Sequence, residues 1–234
     1  MWCIGKIDEE YVANMEDVLS LYAQGVDPAR PRLCFDERPC LMVGNVVAPL
    51  PMRPGQPQRP DYEYKRLEPA VVLLAYNMDT GQRHAAISST KTKLDYAQFM
   101  ARIIEEHYPG AETIRLVQDN LGTHTKGSFY KAFPPHKARE FAQKLEFHFT
   151  PKHASWLNMA EMEFSALSRQ CLDRRFESLE QLEKEVLAWE KRRNQDATKI
   201  HWSFTTKEAR DKLSILFKKF FEINALDMQA QLTI

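Results

Sequence analysis

The chain has 234 residues, with 32 Lys+Arg balanced by 32 Asp+Glu, and 44% of its residues are hydrophobic. That composition furnishes a core for one sizeable domain and excludes wholesale disorder. No run of 18 apolar residues exists, and Met1-Trp2-Cys3-Ile4-Gly5-Lys6 lacks the apolar stretch of a secretion signal, so a membrane span is excluded and the cytoplasm is expected.

In chain order, residues 7–25 are expected to form a helix. Ile7, Tyr11, Val12, Met15, Val18, Leu19 and Tyr22 recur at helical spacing, Asp8 can cap the start, and Asp27-Pro28 ends it. Residues 32–37 read as a short, mostly buried strand that ends in carboxylates. Pro49, Pro51, Pro54, Pro57 and Pro60 then forbid a helix or a central strand, with Arg53, Arg59, Lys65 and Arg66 in or beside them. Residues 45–66 are therefore an extended arm or loop, either a rigid spacer or a contact to DNA or to a second subunit.

Residues 69–76 make a buried strand, and the turn Asp79-Thr80-Gly81 leads into a second strand over 83–88. Residues 94–107 are helical with Leu94, Phe99, Met100, Ile103 and Ile104 inward. Residues 112–118 form another buried strand, 135–145 a helix and 145–149 a short strand. From Leu157 the pattern is helical: 157–172, then 179–193 with Leu179, Leu182, Val186 and Trp189 on its face and Ser178 as cap, then 206–220 capped by Thr205 or Thr206. This order implies an α/β fold, a mixed sheet flanked by helices with a helical C-terminal extension.

The neutral total is a sum of unlike parts. Residues 1–123 carry 13 basic against 17 acidic side chains, and residues 124–220 carry 19 against 13. A basic half can hold a polyanion while acids elsewhere collect cations, although an ordinary solvated surface accounts for the surplus equally well. Cys3, Cys34, Cys40 and Cys171 have neither disulfide nor metal spacing and read as reduced thiols.

Two apolar strands end in an aspartate, Phe35-Asp36 and Gln118-Asp119. A strand buried on both faces tolerates no idle charge, and strand carboxyl ends are where α/β sheets build sites. A third acid lies in Asn158-Met159-Ala160-Glu161-Met162-Glu163. Glu161 and Glu163 are two apart on a helix and point to roughly opposite sides, so only one can face the aspartates, and geometry alone leaves the choice open.

Three runs now carry a resemblance: Cys34-Phe35-Asp36-Glu37, Asp119-Asn120-Leu121-Gly122-Thr123-His124-Thr125, and Thr150-Pro151-Lys152-His153-Ala154-Ser155-Trp156-Leu157-Asn158-Met159-Ala160-Glu161. In order and in context they resemble the catalytic blocks of DDE transposases, specifically bacterial insertion-sequence transposases of the mariner-type superfamily. The resemblance implies a ribonuclease-H-like fold and an Asp-Asp-Glu metal site of Asp36, Asp119 and Glu161, favouring Glu161 over Glu163. It implies two Mg²⁺ or Mn²⁺ ions bridged by Asp36, with DNA strand cleavage by water followed by strand transfer from a DNA 3′-hydroxyl. Asp119 and Glu161 lie 42 residues apart, longer than the family's usual spacing, and the excess is assigned to a helical insert over 133–143.

His124 stands where the family often has a histidine, to contact the scissile phosphate or orient a ligand, and reads equally as a capping or packing residue; Asn120 orients Asp119 or the local turn, and Asn158, three before Glu161, shares its face. Lys152, His153 and Trp156 suit DNA contact by charge and stacking, with Trp156 equally readable as core, and Arg169, Arg174 and Arg175 suit phosphate contacts or a solvated face. The implied partners are double-stranded DNA, at transposon ends and target, and a second copy clamped by the 45–66 arm, in a nucleoid-associated protein. The expected division is a linker helix over 1–28, a catalytic domain over 29–195, and a C-terminal helix and tail over 196–234. The helix-turn-helix region of full-length relatives is not expected within this chain. The alternative reading is a truncated, non-catalytic DNA- or partner-binding remnant.

Overall fold

The computed structural model of this chain describes residues 7–56, 59 and 61–213. Helix α1 spans Glu9–Ala23. Strand β1 (Arg32–Cys40) leads into the short β2 (Val43–Asn45) and β3 (Tyr64–Arg66). Strands β4 (Ala70–Asn77) and β5 (Arg83–Ser88) precede α2 (Lys93–Arg102), which continues as a π-helical turn over Ile103–His107. Then come β6 (Ile114–Gln118), α3 (Gly127–Ala132), α4 (Pro135–Gln143) and β7 (Leu145–Phe149). A 3₁₀ turn at Ser155–Leu157 opens α5 (Met159–Leu167), which widens into a π turn over Ser168–Leu172 before α6 (Leu179–Gln195) and α7 (Thr206–Lys212).

The main sheet has the order β5-β4-β1-β6-β7. The β1–β4 and β4–β5 pairs are antiparallel, and β1–β6 and β6–β7 are parallel. It is thus the mixed sheet expected. All eight residues of β4 are buried, because helices cover both faces. On one face Leu33, Phe35 and Leu73 pack against α2, α3 and α4. On the other, Cys34 and Val117 pack with α1 and the start of α5, and Val72 and Leu74 pack with α5 and α6. Each fully buried Leu, Val or Phe side chain contributes about 1.5–3 kcal/mol.

Local sequence explains the boundaries. Asp8 caps α1 as expected, accepting from the Tyr11 amide at 2.8 Å. Ser178 caps α6, and Thr205 and Glu208 form a capping box on α7. The helix expected over 206–220 is seen to Lys212, and the remainder, like the 222–234 tail and residues 1–6, lies outside the described residues.

Several expectations change. Strand β1 runs to Cys40 rather than ending at its carboxylates, because pairing with β4 continues from Asp36–Leu74 through Cys40–Ala70. Its pairing with β6, however, stops at Cys34–Val117, so Asp36 still lies where two parallel strands part. Pro39 is tolerated there because β1 has become an edge on that side. Leu94 is exposed, not inward, since it sits two positions before the buried Tyr96 and so opposite the face of Phe99 and Met100. Helix α3 carries no long apolar period and was not foreseen.

Of the two expectations for the proline-rich segment, an extended arm or a loop, the described residues show the extended arm, paired as a hairpin. The β2–β3 pairs (Val43–Arg66 to Asn45–Tyr64) and the bridges Leu50–Arg59 and Arg53–Gln56 share one antiparallel register. Pro54 and Gly55 turn its tip, with Gly55 at φ +76°, a conformation only glycine adopts without strain.

Candidate active site

Asp36, Asp119 and Glu161 line one cleft with a volume of about 430 Å³ where β1 parts from the carboxyl end of β6. Each comes from a different element. Asp36 projects from β1 just past its last pair with β6, Asp119 follows the last residue of β6, and Glu161 sits in the first turn of α5. A helix N-terminus favours a carboxylate, which suits Glu161 there.

Asn158 binds two of these elements together. Its side-chain oxygen accepts from the Ala160 amide and caps α5, while Nδ2 donates to the Phe35 carbonyl at 2.9 Å and lies 3.4 Å from Asp36 Oδ2. It is buried beside Asp36. Burial, then the charges of Glu161 and Asp119, raise the Asp36 carboxyl to about 7, against a backbone hydrogen bond from Glu37 that acts the other way. The cleft therefore concentrates negative charge around a carboxyl that ionises reluctantly.

Asp119 is held differently. Oδ1 accepts from the Leu121 amide at 3.2 Å and meets His124 Nδ1 at 2.5 Å. Burial acts upward on its carboxyl, but the hydrogen bond and charge of His124 outweigh it, and Asp119 stays below the usual carboxylate range. His124 is buried, edge-on to Phe35 and tilted against Tyr96. Burial alone pushes its imidazole down, yet Asp119 and Glu37 raise it to about 9. Asn120, expected to orient Asp119, is exposed at the cleft wall, and His124 and the Leu121 amide do that work instead.

The Glu161–Glu163 ambiguity is resolved by placement. Glu163 is buried on the far side of α5, where Arg83 Nε and Nη2 donate to it at 2.6 and 2.8 Å and Arg193 adds a contact at 3.1 Å. It faces away from the cleft.

Of the expected DNA contacts, Lys152 and His153 are exposed on the cleft wall, with His153 at φ +60° in the turn before α5. Trp156 takes the core reading: half-buried, it packs edge-on against Phe204. Arg169 and Arg174 line a neighbouring groove between β1 and the end of α5, together with Arg38. Arg174 also pairs with Glu185. Arg175 is a structural anchor rather than a free cation, donating to Asn45 Oδ1 and the Asp61 carbonyl at the root of the arm and lying over the Tyr64 ring.

Two residues at the cleft escaped the sequence reading. Glu37 is buried, with His124 Nε2 at 2.6 Å and Lys91 Nζ at 3.0 Å. Strand alternation sends it to the face opposite Asp36, so adjacency to Asp36 gave no hint. Lys91 lies in the β5–α2 connection, where nothing local marks it.

The donor set at the cleft is carboxylate oxygen, the hard chemistry that suits Mg²⁺ or Mn²⁺, and the reluctant ionisation of Asp36 is a strain that a cation would relieve. Among the described residues no group of three or more His, Cys, Asp or Glu side chains is placed so that it could hold a metal ion as it stands; the three acids share the lining of the cleft.

A strand order of this kind, with acids on the central strand β1, just after β6 and at the start of a following helix, defines a ribonuclease-H-like fold with an acidic cleft. The profile of the DDE superfamily endonucleases matches residues 31–183. The chain belongs to that family. Its fold is similar to the Mos1 mariner paired-end complex with Mn (15% identity, TM-score 0.52, 84% of this chain and 61% of that one). It is also similar to a pre-cleavage Mos1 transpososome (14%, 0.54, 97% and 65%) and to the Mos1 strand transfer complex (15%, 0.54, 84% and 60%). The chain thus spans about six-tenths of the length of those proteins. A search of curated proteins finds no match. No helix among the described residues is long and apolar enough to cross a membrane.

Proposed function

We propose that this chain is the catalytic domain of a mariner-type transposase, cutting DNA strands and joining them elsewhere with divalent metal ions. The observation that carries the reading is the convergence of Asp36, Asp119 and Glu161 from three separate elements on one cleft, with Asp36 crowded by the other two. The family match and the likeness to complexes named for paired ends and strand transfer support it.

In this reading Asp36, Asp119 and Glu161 hold two Mg²⁺ or Mn²⁺ ions. The ions supply Lewis-acid activation of an attacking oxygen and stabilise the leaving one in an in-line displacement at phosphorus. The protein's contribution is position. Asn158 fixes Asp36 relative to the start of α5, and His124 fixes Asp119. Lys152 and His153 on the cleft wall, and Arg38, Arg169 and Arg174 along the adjoining groove, supply positive charge for the phosphates of a bound strand. Residues 29–195 form the catalytic unit, and the arm hairpin over 45–66 reaches toward a second copy in a homodimer. The bound DNA is that of transposon ends and target, which places the protein at the nucleoid.

The test is a nicking and strand-joining assay on supercoiled plasmid with Mn²⁺. Nicking that vanishes in Asp119→Ala and Glu161→Ala supports the proposal. Protein that binds DNA but never nicks it overturns the enzymatic reading.

A further inference from the structure

His124 has a carboxylate on each ring nitrogen. Nδ1 meets Asp119 Oδ1 at 2.5 Å, and Nε2 meets Glu37 Oε2 at 2.6 Å. Glu37 is as buried as the histidine, and its other oxygen is 3.0 Å from Lys91 Nζ. The ring plane is set by Phe35 and Tyr96, whose centroids lie 5.2 and 4.9 Å away. The backbone of His124 is set too: its carbonyl accepts from Gln118 Nε2 at 3.1 Å, and Gln118 Oε1 accepts from the Tyr96 hydroxyl at 2.8 Å.

Everything in this chain is fixed except its far end. Asp119 is half-exposed and stands on a loop, attached through Oδ1 to His124 and to the Leu121 amide. Both attachments use the same oxygen, so Oδ2 is the atom that the arrangement leaves toward the cleft. A histidine alone could swing about its side-chain bonds. One gripped at Nε2 by a buried carboxylate cannot turn without taking the partner from Glu37 Oε2, leaving that carboxylate only Lys91 on its other oxygen, which is costly in a low-dielectric interior.

We infer that Glu37 is a positioning residue, acting through His124 to aim the Asp119 carboxylate into the cleft. The inference rests on the proposed metal-site reading only for its consequence in catalysis; the mechanical chain Glu37–His124–Asp119 stands on geometry. Residues that orient a ligand from behind typically change metal affinity by about 10–100-fold when removed.

The test begins with metal-free protein carrying ¹³C at aspartate carboxyls, the Asp119 signal being identified by its loss in Asp119→Asn. Glu37→Ala is expected to move that signal in the wild-type background and to have no further effect in a His124→Gln background. A signal unmoved by Glu37→Ala, or moved equally with and without His124, overturns the inference. If Glu37→Ala does not fold, Glu37→Gln carries the same comparison, since it keeps the shape and loses the charge. Mn²⁺ titration then reads the consequence: about 10-fold weaker binding in the Glu37 variant with DNA affinity unchanged supports the role, and equal Mn²⁺ affinity contradicts it. Wild-type protein that takes up no Mn²⁺ removes the metal reading, while the carbon signal still decides the positioning chain.

Discussion

Glu161 and Glu163 stand two residues apart on α5 and serve opposite sides of it: Glu161 lines the acidic cleft, and Glu163 is locked to Arg83 at 2.6 Å in the core. Two similar acids therefore give two different phenotypes. Glu161→Gln is expected to abolish Mn²⁺-dependent nicking while moving the urea midpoint little. Glu163→Gln leaves the fully buried Arg83 short of its counter-charge, and breaking such a pair costs about 3–5 kcal/mol. Urea unfolding of both variants, beside the nicking assay, checks the split. A Glu163 variant as stable as wild type contradicts it.

Much of this was legible in the chain. The strands at 69–76, 83–88 and 145–149 follow from apolar runs bounded by turn residues, as does the start of the one at 32, which runs on to Cys40; Asp119 follows a strand end as expected, whereas Asp36 lies within its strand, at the point where pairing with β6 stops. What could not be read was which face each side chain serves across the fold. Helix geometry alone left Glu161 and Glu163 open and only the family resemblance favoured Glu161; Arg83, eighty residues away on β5, is what claims Glu163. Glu37 and Lys91 were invisible for the same reason: Glu37 meets Lys91 from the β5–α2 connection and His124 from a loop nearly ninety residues later in the chain. The hairpin form of the arm was half legible. Pro54-Gly55 is a turn signal, but proline counting alone suggested a loop.

Arg175 ties the root of the arm through Asn45 and Asp61. Arg175→Ala is expected to loosen the hairpin and speed tryptic cleavage after Lys65 and Arg66 in β3, whereas Arg174→Ala, which gives up only a partly exposed pair with Glu185, leaves it unchanged. Limited proteolysis followed by mass analysis distinguishes the two.

Asn158 caps α5 and holds β1 at once. Asn158→Ala should cost about 1–2 kcal/mol from the cap alone and should depress nicking beyond what lost stability explains, because Asp36 loses its neighbour. Stability from urea titration and nicking rate at a temperature where the variant is fully folded check this. An unaltered rate contradicts it.

His84 gives a pH dependence. Burial, then His107 stacked 3.8 Å away and Arg102 nearby, lower its imidazole to about 3, and its Nε2 lies 3.2 Å from the Tyr108 hydroxyl. In the unfolded chain a histidine titrates near ~6.5. Between those values the unfolded state binds a proton that the folded state refuses. Stability is therefore full above that window and falls as pH drops through it. His84→Phe is expected to shrink the loss between about pH 7 and about pH 5 by roughly 1–2 kcal/mol. Urea titrations at the two pH values measure it, and an identical pH dependence in the variant contradicts it.

The central claim is that Asp36, Asp119 and Glu161 together hold catalytic metal. The most direct test is anomalous diffraction from crystals of the chain grown with Mn²⁺. The account predicts manganese peaks in the cleft, liganded by carboxylate oxygens of all three residues and absent from Asp36→Ala crystals. Manganese bound elsewhere, or a cleft that stays empty at Mn²⁺ concentrations supporting nicking, would contradict it.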